Sequence, residues 1–199
     1  MHIRWRGLEL PSVLECEQDS LTSTYGKFSA EPFERGFGVT IGNSLRRILL
    51  SSLMGSAVTQ IRIHGAQHEF TTIPGVLEDV TDIILNLKKL LLEINTEESV
   101  TLRVEADSEG DVTAGDLQCD HHVKVVNPDL KICSLVKDTG FELDLTARRG
   151  RGYVTAVENM TEDQPLGTIA IDSIFSPVRR VRWKTENTRV GKLTNYDKL

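Results

Sequence analysis

Two stretches of this 199-residue chain carry apolar side chains at helical spacing. From Phe37 onward, Phe37, Ile41, Leu45, Ile48, Leu49 and Leu53 recur mostly at intervals of three or four, with Arg46 and Arg47 on the other side. Gly36 and Gly38 open this segment, and Met54-Gly55 is expected to close it, Gly55 serving as the C-terminal cap. A second helix is expected after Pro74-Gly75, with Val76, Val80, Ile83, Ile84, Leu87 and Leu91 in one stripe. Its charges suit the helix dipole: Glu78, Asp79 and Asp82 come early, Lys88 and Lys89 late.

The rest reads as strand and turn. Alternating or β-branched runs lie at Lys27–Phe33, Val58–Ile63, Val100–Val104, Lys131–Val136, Phe141–Leu145, Thr168–Ile171, Val178–Trp183 and Arg189–Thr194. Turn residues cluster between them at His64-Gly65, Asp107–Gly110, Asn127-Pro128-Asp129, Asp138-Thr139-Gly140 and Asn159–Pro165. Strands outnumber helices without alternating with them, so the expected class is α+β rather than a doubly wound sheet. No repeat or low-complexity linker divides the chain, and a second domain is therefore expected by insertion, not in tandem.

Composition narrows the function classes. Apolar residues make up 39% and charged residues 26%, ordinary proportions for a globular protein and wrong for collagen-like, coiled-coil or wholly disordered chains. The net charge of −6 argues against a protein that coats DNA. That charge is uneven: residues 1–144 hold 13 basic and 23 acidic groups, residues 145–199 hold 10 and 6. A basic last quarter marks a nucleic-acid contact, an acidic protein contact or a solvated face. Cys16, Cys119 and Cys133 are widely spread and odd in number, which favours a reducing compartment over a disulfide framework. The N-terminus lacks the apolar core of a signal peptide, and the longest uncharged apolar-rich stretch, Ile48–Val58, is too short to span a bilayer. A cytoplasmic location without membrane contact is expected.

Candidate chemistry is sparse. Gly36-Phe37-Gly38-Val39-Thr40-Ile41-Gly42 approaches the dinucleotide fingerprint, but its last gap is one residue too long and no acid follows near Gln60-Ile61-Arg62. Small residues that admit a close neighbour at the helix start explain the pattern better. Cys119, Asp120, His121, His122 and Cys133 lack the paired spacing of structural zinc sites. The five histidines stand in no catalytic motif, and nothing around Glu31 and Glu34 suggests a pocket that would raise a carboxyl pKa. No catalytic residue, cofactor site or metal site is assigned. Two basic runs, Arg148-Arg149-Gly150-Arg151-Gly152-Tyr153 and Arg179-Arg180-Val181-Arg182-Trp183-Lys184, fit either nucleic-acid contact or, for the second, an edge strand protected from aggregation. The edge-strand reading is preferred; a nucleic-acid-binding module using the stretches near Arg148 and Arg179 is the alternative function.

The most informative segment is Glu34–Ser52. Its helix is amphipathic, yet its polar side offers Gly42, Asn43 and Ser44 as a smooth patch beside Arg46 and Arg47. Arginine packs its stem on apolar surface and binds carboxylates with a planar fork, so this patch suits a protein partner. The segment resembles the N-terminal assembly domain of the bacterial RNA polymerase alpha-subunit family. The resemblance extends through Pro74-Gly75-Val76-Leu77-Glu78-Asp79 into Ile84-Leu85-Asn86-Leu87-Lys88. It continues at Arg149-Gly150-Arg151-Gly152-Tyr153-Val154, Ser176-Pro177-Val178 and Tyr196-Asp197-Lys198-Leu199. Several blocks in register across nearly the whole chain are far more specific than one short motif.

The resemblance implies a discontinuous dimerisation domain, residues 1–54 and 174–199, with a mainly β domain inserted at 55–173. It implies a homodimer core of Phe37, Ile41, Leu45, Ile48 and Leu49, and a beta-subunit contact at Arg47 with Gly42, Asn43, Arg46 and Leu50 around it. Arg149, Arg151, Tyr153, Arg179, Arg180 and Arg182 become candidates for further subunit contact. One protomer would dock beta and the other beta-prime, making the chain a non-catalytic scaffold of a nucleotidyltransferase whose magnesium belongs to the partner catalytic subunit. The family usually continues beyond Asp197-Lys198-Leu199 with a helix that completes the dimer and a separate DNA-binding domain. A truncated dimerisation domain, a weakened dimer and no direct DNA recognition are therefore expected.

Overall fold

A computed structural model describes residues 3–5, 7–161 and 164–199. The chain is mixed and strand-rich with few helices, and it divides into two compact units: residues 1–50 with 178–199, and residues 51–177.

In the unit formed by residues 51–177, a four-stranded antiparallel sheet runs in the order Thr168–Ala170, Met54–Ile63, Phe141–Arg151, Val100–Ala106. Strict alternation makes the sheet two-faced. Phe141, Leu143, Leu145 and Ala147 are buried, whereas Glu142, Asp144 and Thr146 between them face outward. Leu143 stands opposite Ile63 on one side and Val104 on the other, and Leu145 opposite Ile61 and Leu102. The same core takes Val80, Ile83, Ile84 and Leu87 from one helix, Val80–Leu87, which begins where the Asp79 side chain accepts a hydrogen bond from the Asp82 N–H at 2.7 Å. This helix is shorter than its stripe suggests. Val76 lies before the Asp79 cap and bridges Leu135, and Leu91 is exposed beyond the end.

A buried polar network crosses this unit. The Asn159 amide donates to the Ile171 carbonyl at 2.8 Å and to Ser173 Oγ at 2.9 Å, and Ser173 Oγ donates to the Val58 carbonyl at 2.7 Å. Arg148 donates to Asn159 Oδ1 at 3.2 Å while its guanidinium lies over the Phe175 ring. Every buried partner is thus satisfied by another.

The other unit has a different economy. Its three-stranded sheet places Leu193–Lys198 between Glu186–Val190 and Phe33–Glu34. The long helix Phe37–Ser51, α1, starts from this sheet. Among the described residues of this unit, Phe33 is the buried large apolar side chain; the remaining buried apolar core lies in residues 51–177.

Four expectations need correction. Gly55 is no helix cap: α1 ends at Ser51 and Gly55 sits inside the strand Met54–Ile63, where an added Cβ would lie 1.9 Å from the Phe175 carbonyl oxygen. Val178–Trp183 forms no strand, so its arginines do not guard a sheet edge. Arg189–Thr194 straddles a hairpin turn at Gly191, whose φ of 61° suits a residue without Cβ. Lys27–Phe33 is broken into Phe28–Ala30 and Phe33–Glu34 around Pro32, which cannot donate to a ladder.

Candidate assembly surface

The site is built around the start of α1, which has no acidic residue in its own first turn. The missing negative charge comes from the opposite end of the sequence. Pairing of Phe33 with Asp197 brings the buried Asp197 carboxylate under the helix, where Oδ2 accepts from the Gly36 N–H at 2.8 Å and the Gly38 N–H at 3.2 Å. A carboxylate at this end satisfies free N–H groups and opposes the positive end of the helix dipole.

Two glycines one turn apart then admit the neighbouring chain. A Cβ on Gly38 would come within 2.7 Å of the Thr185 methyl, and one on Gly42 within 2.7 Å of the Trp183 ring and 3.0 Å of Leu199. Gly38 and Gly42 are the buried residues of α1. The helix therefore packs through its glycines and turns its apolar side chains outward. Phe37 is 43% exposed, Leu45 46% and Ile48 51%, with Ile41 and Leu49 half-buried in the same stripe. Isolated exposed apolar residues are ordinary; a continuous stripe along one helix is not.

The remaining sequence candidates fall into groups. Asn43, Arg46 and Arg47 are exposed on α1, and Leu50 is half-buried, whereas Gly42 is buried beneath Trp183. Arg179, Arg180 and Arg182 are exposed on an irregular segment. In the other unit Arg151 and Tyr153 are exposed and Arg149 half-buried, while Arg148 is committed to Asn159 and Phe175. Tyr153 pairs with Ile174 across a short ladder; partial desolvation, then the Asp172 carboxylate, pushes its phenol pKa up. Asp172 accepts from the Ala156 N–H at 2.9 Å and from Lys88 at 3.3 Å, and the Ala156 N–H first, with Lys88, holds its pKa down.

The cysteine and histidine candidates separate. Burial pushes the Cys133 thiol up to about 12, and Cys119 lies outside the group that Asp120, His121 and His122 form, so the five residues do not converge. A different group does: one ligand atom each of His64, Glu142 and Asp144 lies within 4.8 Å of the others. Sequence reading missed it, although the alternation Phe141-Glu142-Leu143-Asp144 already puts both carboxylates on one outer face. Trp183, Thr185 and Asp197 were likewise missed as the residues that seat α1; no local pattern announces them.

Comparison with known proteins gives this arrangement its class. A family profile described as the RNA polymerase Rpb3/RpoA insert domain matches residues 61–176, more than half of the chain. The subunit alpha of DNA-directed RNA polymerase from Rhodopirellula baltica is 60% identical over 100% of this chain. Those from Pelobacter propionicus and Symbiobacterium thermophilum are 54% identical over 100% and 55% identical over 97%. The match covers 60%, 58% and 61% of these relatives, so the chain spans about three fifths of their length. The class is thus that of RNA polymerase subunits with this insert domain. The chain belongs to the DNA-directed RNA polymerase alpha-subunit family.

Proposed function

We propose that the chain is an assembly scaffold for RNA polymerase: two copies pair through α1, and the pair docks the beta and beta-prime subunits in the cytoplasm. The observation that carries this reading is the outward stripe of Phe37, Ile41, Leu45, Ile48 and Leu49 on a helix whose inward face is glycine. A helix repeats its stripe in a second copy, so an isologous two-fold contact lets each apolar face cover its counterpart. The scarcity of buried apolar side chains among the described residues of the unit 1–50 and 178–199 supports the same reading, because such a unit gains its core by association.

The two compact units support a discontinuous dimerisation domain at about 1–54 and 174–199 around an insertion at 55–173, with the units themselves dividing at 50/51 and 177/178. Asn43, Arg46, Arg47 and Leu50 form the beta-subunit contact on this reading, with Gly42 setting the height of Trp183 beside them. The phosphodiester chemistry and its magnesium belong to the partner subunits, and no step of it is assigned to this chain. Co-purification of beta with the Arg47→Ala variant tests the contact. Beta capture falls at least tenfold while the fold is retained; undiminished capture would remove Arg47 from the interface.

A further inference from the structure

The outer face of the four-stranded sheet carries one group of side chains that the assembly role leaves unused. We infer that His64, Glu142 and Asp144 form a binding site for a zinc-class divalent transition-metal ion. Glu142 and Asp144 are two residues apart on the strand Phe141–Arg151, which puts both carboxylates on the same face. His64 follows the end of the neighbouring strand Met54–Ile63, and its backbone N–H donates to the Glu142 carbonyl at 3.0 Å. The backbone ladder therefore delivers the imidazole to the carboxylates.

The oxygens are divided between two tasks. Arg103, opposite Asp144 on the strand Val100–Ala106, takes Glu142 Oε1 and lies 3.9 Å from Asp144 Oδ1. The other two oxygens turn to the histidine: Glu142 Oε2 is 3.3 Å from His64 Nδ1, and Asp144 Oδ2 is 3.6 Å from Nε2. A carboxylate held on one oxygen by a cation presents the other with a fixed direction, the arrangement that orients ligands in metal sites. Both carboxylates are half-buried while His64 is exposed, so water reaches the remaining coordination positions. The nearby charges are Glu105, which pairs with Arg103 at 2.6 Å, and Arg62, opposite Asp144; with Glu142 and Asp144 the face keeps a net negative charge.

The donor set selects the ion. The two acids face different ring nitrogens, and an ion takes only one of them. One nitrogen of His64 and one oxygen of each carboxylate still lie within 4.8 Å of one another, a donor set that suits zinc and its neighbours, whereas magnesium prefers oxygen ligands and water. Three protein ligands leave a fourth position open, which distinguishes this site from a closed structural zinc site. A bound ion would clip the end of one strand to the middle of the sheet. Without an ion the same geometry serves as a histidine bridging two acids, and the two states are separable by experiment.

The test is thermal unfolding of the 199-residue chain with zinc chloride or magnesium chloride in excess, alongside cobalt substitution read by its visible absorption. Zinc at a hundredfold excess over its dissociation constant raises the melting temperature by about 5–10 °C, and magnesium leaves it unchanged. His64→Gln and Asp144→Asn each weaken zinc binding at least tenfold and remove the cobalt bands, so either variant serves if the other misfolds. His121→Gln combined with His122→Gln leaves binding intact. No zinc-dependent shift, a shift that survives both His64→Gln and Asp144→Asn, or one lost in the His121/His122 variant would overturn the assignment.

Discussion

Gly42 offers the sharpest test of how α1 is seated. Substitution by alanine normally strengthens a helix by about 1 kcal/mol, because glycine loses more backbone entropy on folding. At Gly42 the new methyl would lie 2.7 Å from two carbons of the Trp183 ring and 3.0 Å from Leu199, against about 3.5–4.0 Å for relaxed carbon contacts. Trp183 or the helix must retreat by close to an ångström, and overpacking of this kind costs about 1–3 kcal/mol. The clash outweighs the helix gain, leaving a net loss of about 1 kcal/mol. Asn43→Ala, one residue along on the exposed side, gains a few tenths of a kcal/mol from propensity alone. Urea unfolding followed by tryptophan emission measures both, with Trp5→Phe as background so that Trp183 is the sole reporter. Gly42→Ala lowers the midpoint at constant slope and Asn43→Ala does not. A Gly42→Ala protein as stable as its parent would refute the close seating of Trp183.

Two further outcomes follow from the same structure. Asn159→Ala removes the hydrogen bonds that link Asn159 to the Ile171 carbonyl, Ser173 Oγ and Arg148, and is expected to destabilise the protein by about 1–3 kcal/mol by urea unfolding, with unchanged stability contradicting the network. The Glu31 carboxyl is held below its usual 4.5, first by the Thr188 hydroxyl and then by Lys198. A lowered folded pKa stabilises the ionised fold above the unfolded value and is lost as pH falls through the folded one, so Glu31→Gln should flatten the acid limb of stability below 4.5 while lowering stability at neutral pH. An unchanged acid limb would show that this contact is not maintained in solution.

Local periodicity revealed what local forces control. The α1 stripe, the alternation in Phe141–Leu145 and the α+β balance were all legible because each rests on the 3.6- or 2-residue repeat of its own backbone. The misread positions depend on distant residues. Gly55 resembles a helix cap by spacing, yet it is small because the Phe175 carbonyl, far along the chain, crowds it. Val178–Trp183 alternates like a strand but has no ladder partner; Trp183 instead fills the space above Gly42. Val76 extends the stripe of the second helix, but the Asp79 cap starts that helix four residues later. The glycines of α1 were read correctly as places of close approach, while the groups approaching them, Trp183, Thr185 and Asp197, had no signature of their own. The stripe itself says only that α1 needs an apolar cover; its assignment to a second copy came from resemblance.

That assignment is the centre of the proposed function, and sedimentation equilibrium of the parent chain against Leu45→Asp tests it most directly. Leu45 is 46% exposed in the single chain, and a two-fold contact would bury its counterpart from each copy together. Two carboxylates forced into that apolar contact cost about 3 kcal/mol or more, a weakening of at least a hundredfold. The parent is predicted to equilibrate between monomer and dimer with increasing concentration, and Leu45→Asp to remain monomeric over the same range while keeping its circular dichroism. A parent that stays monomeric throughout, or a Leu45→Asp dimer of undiminished strength, would contradict pairing through α1.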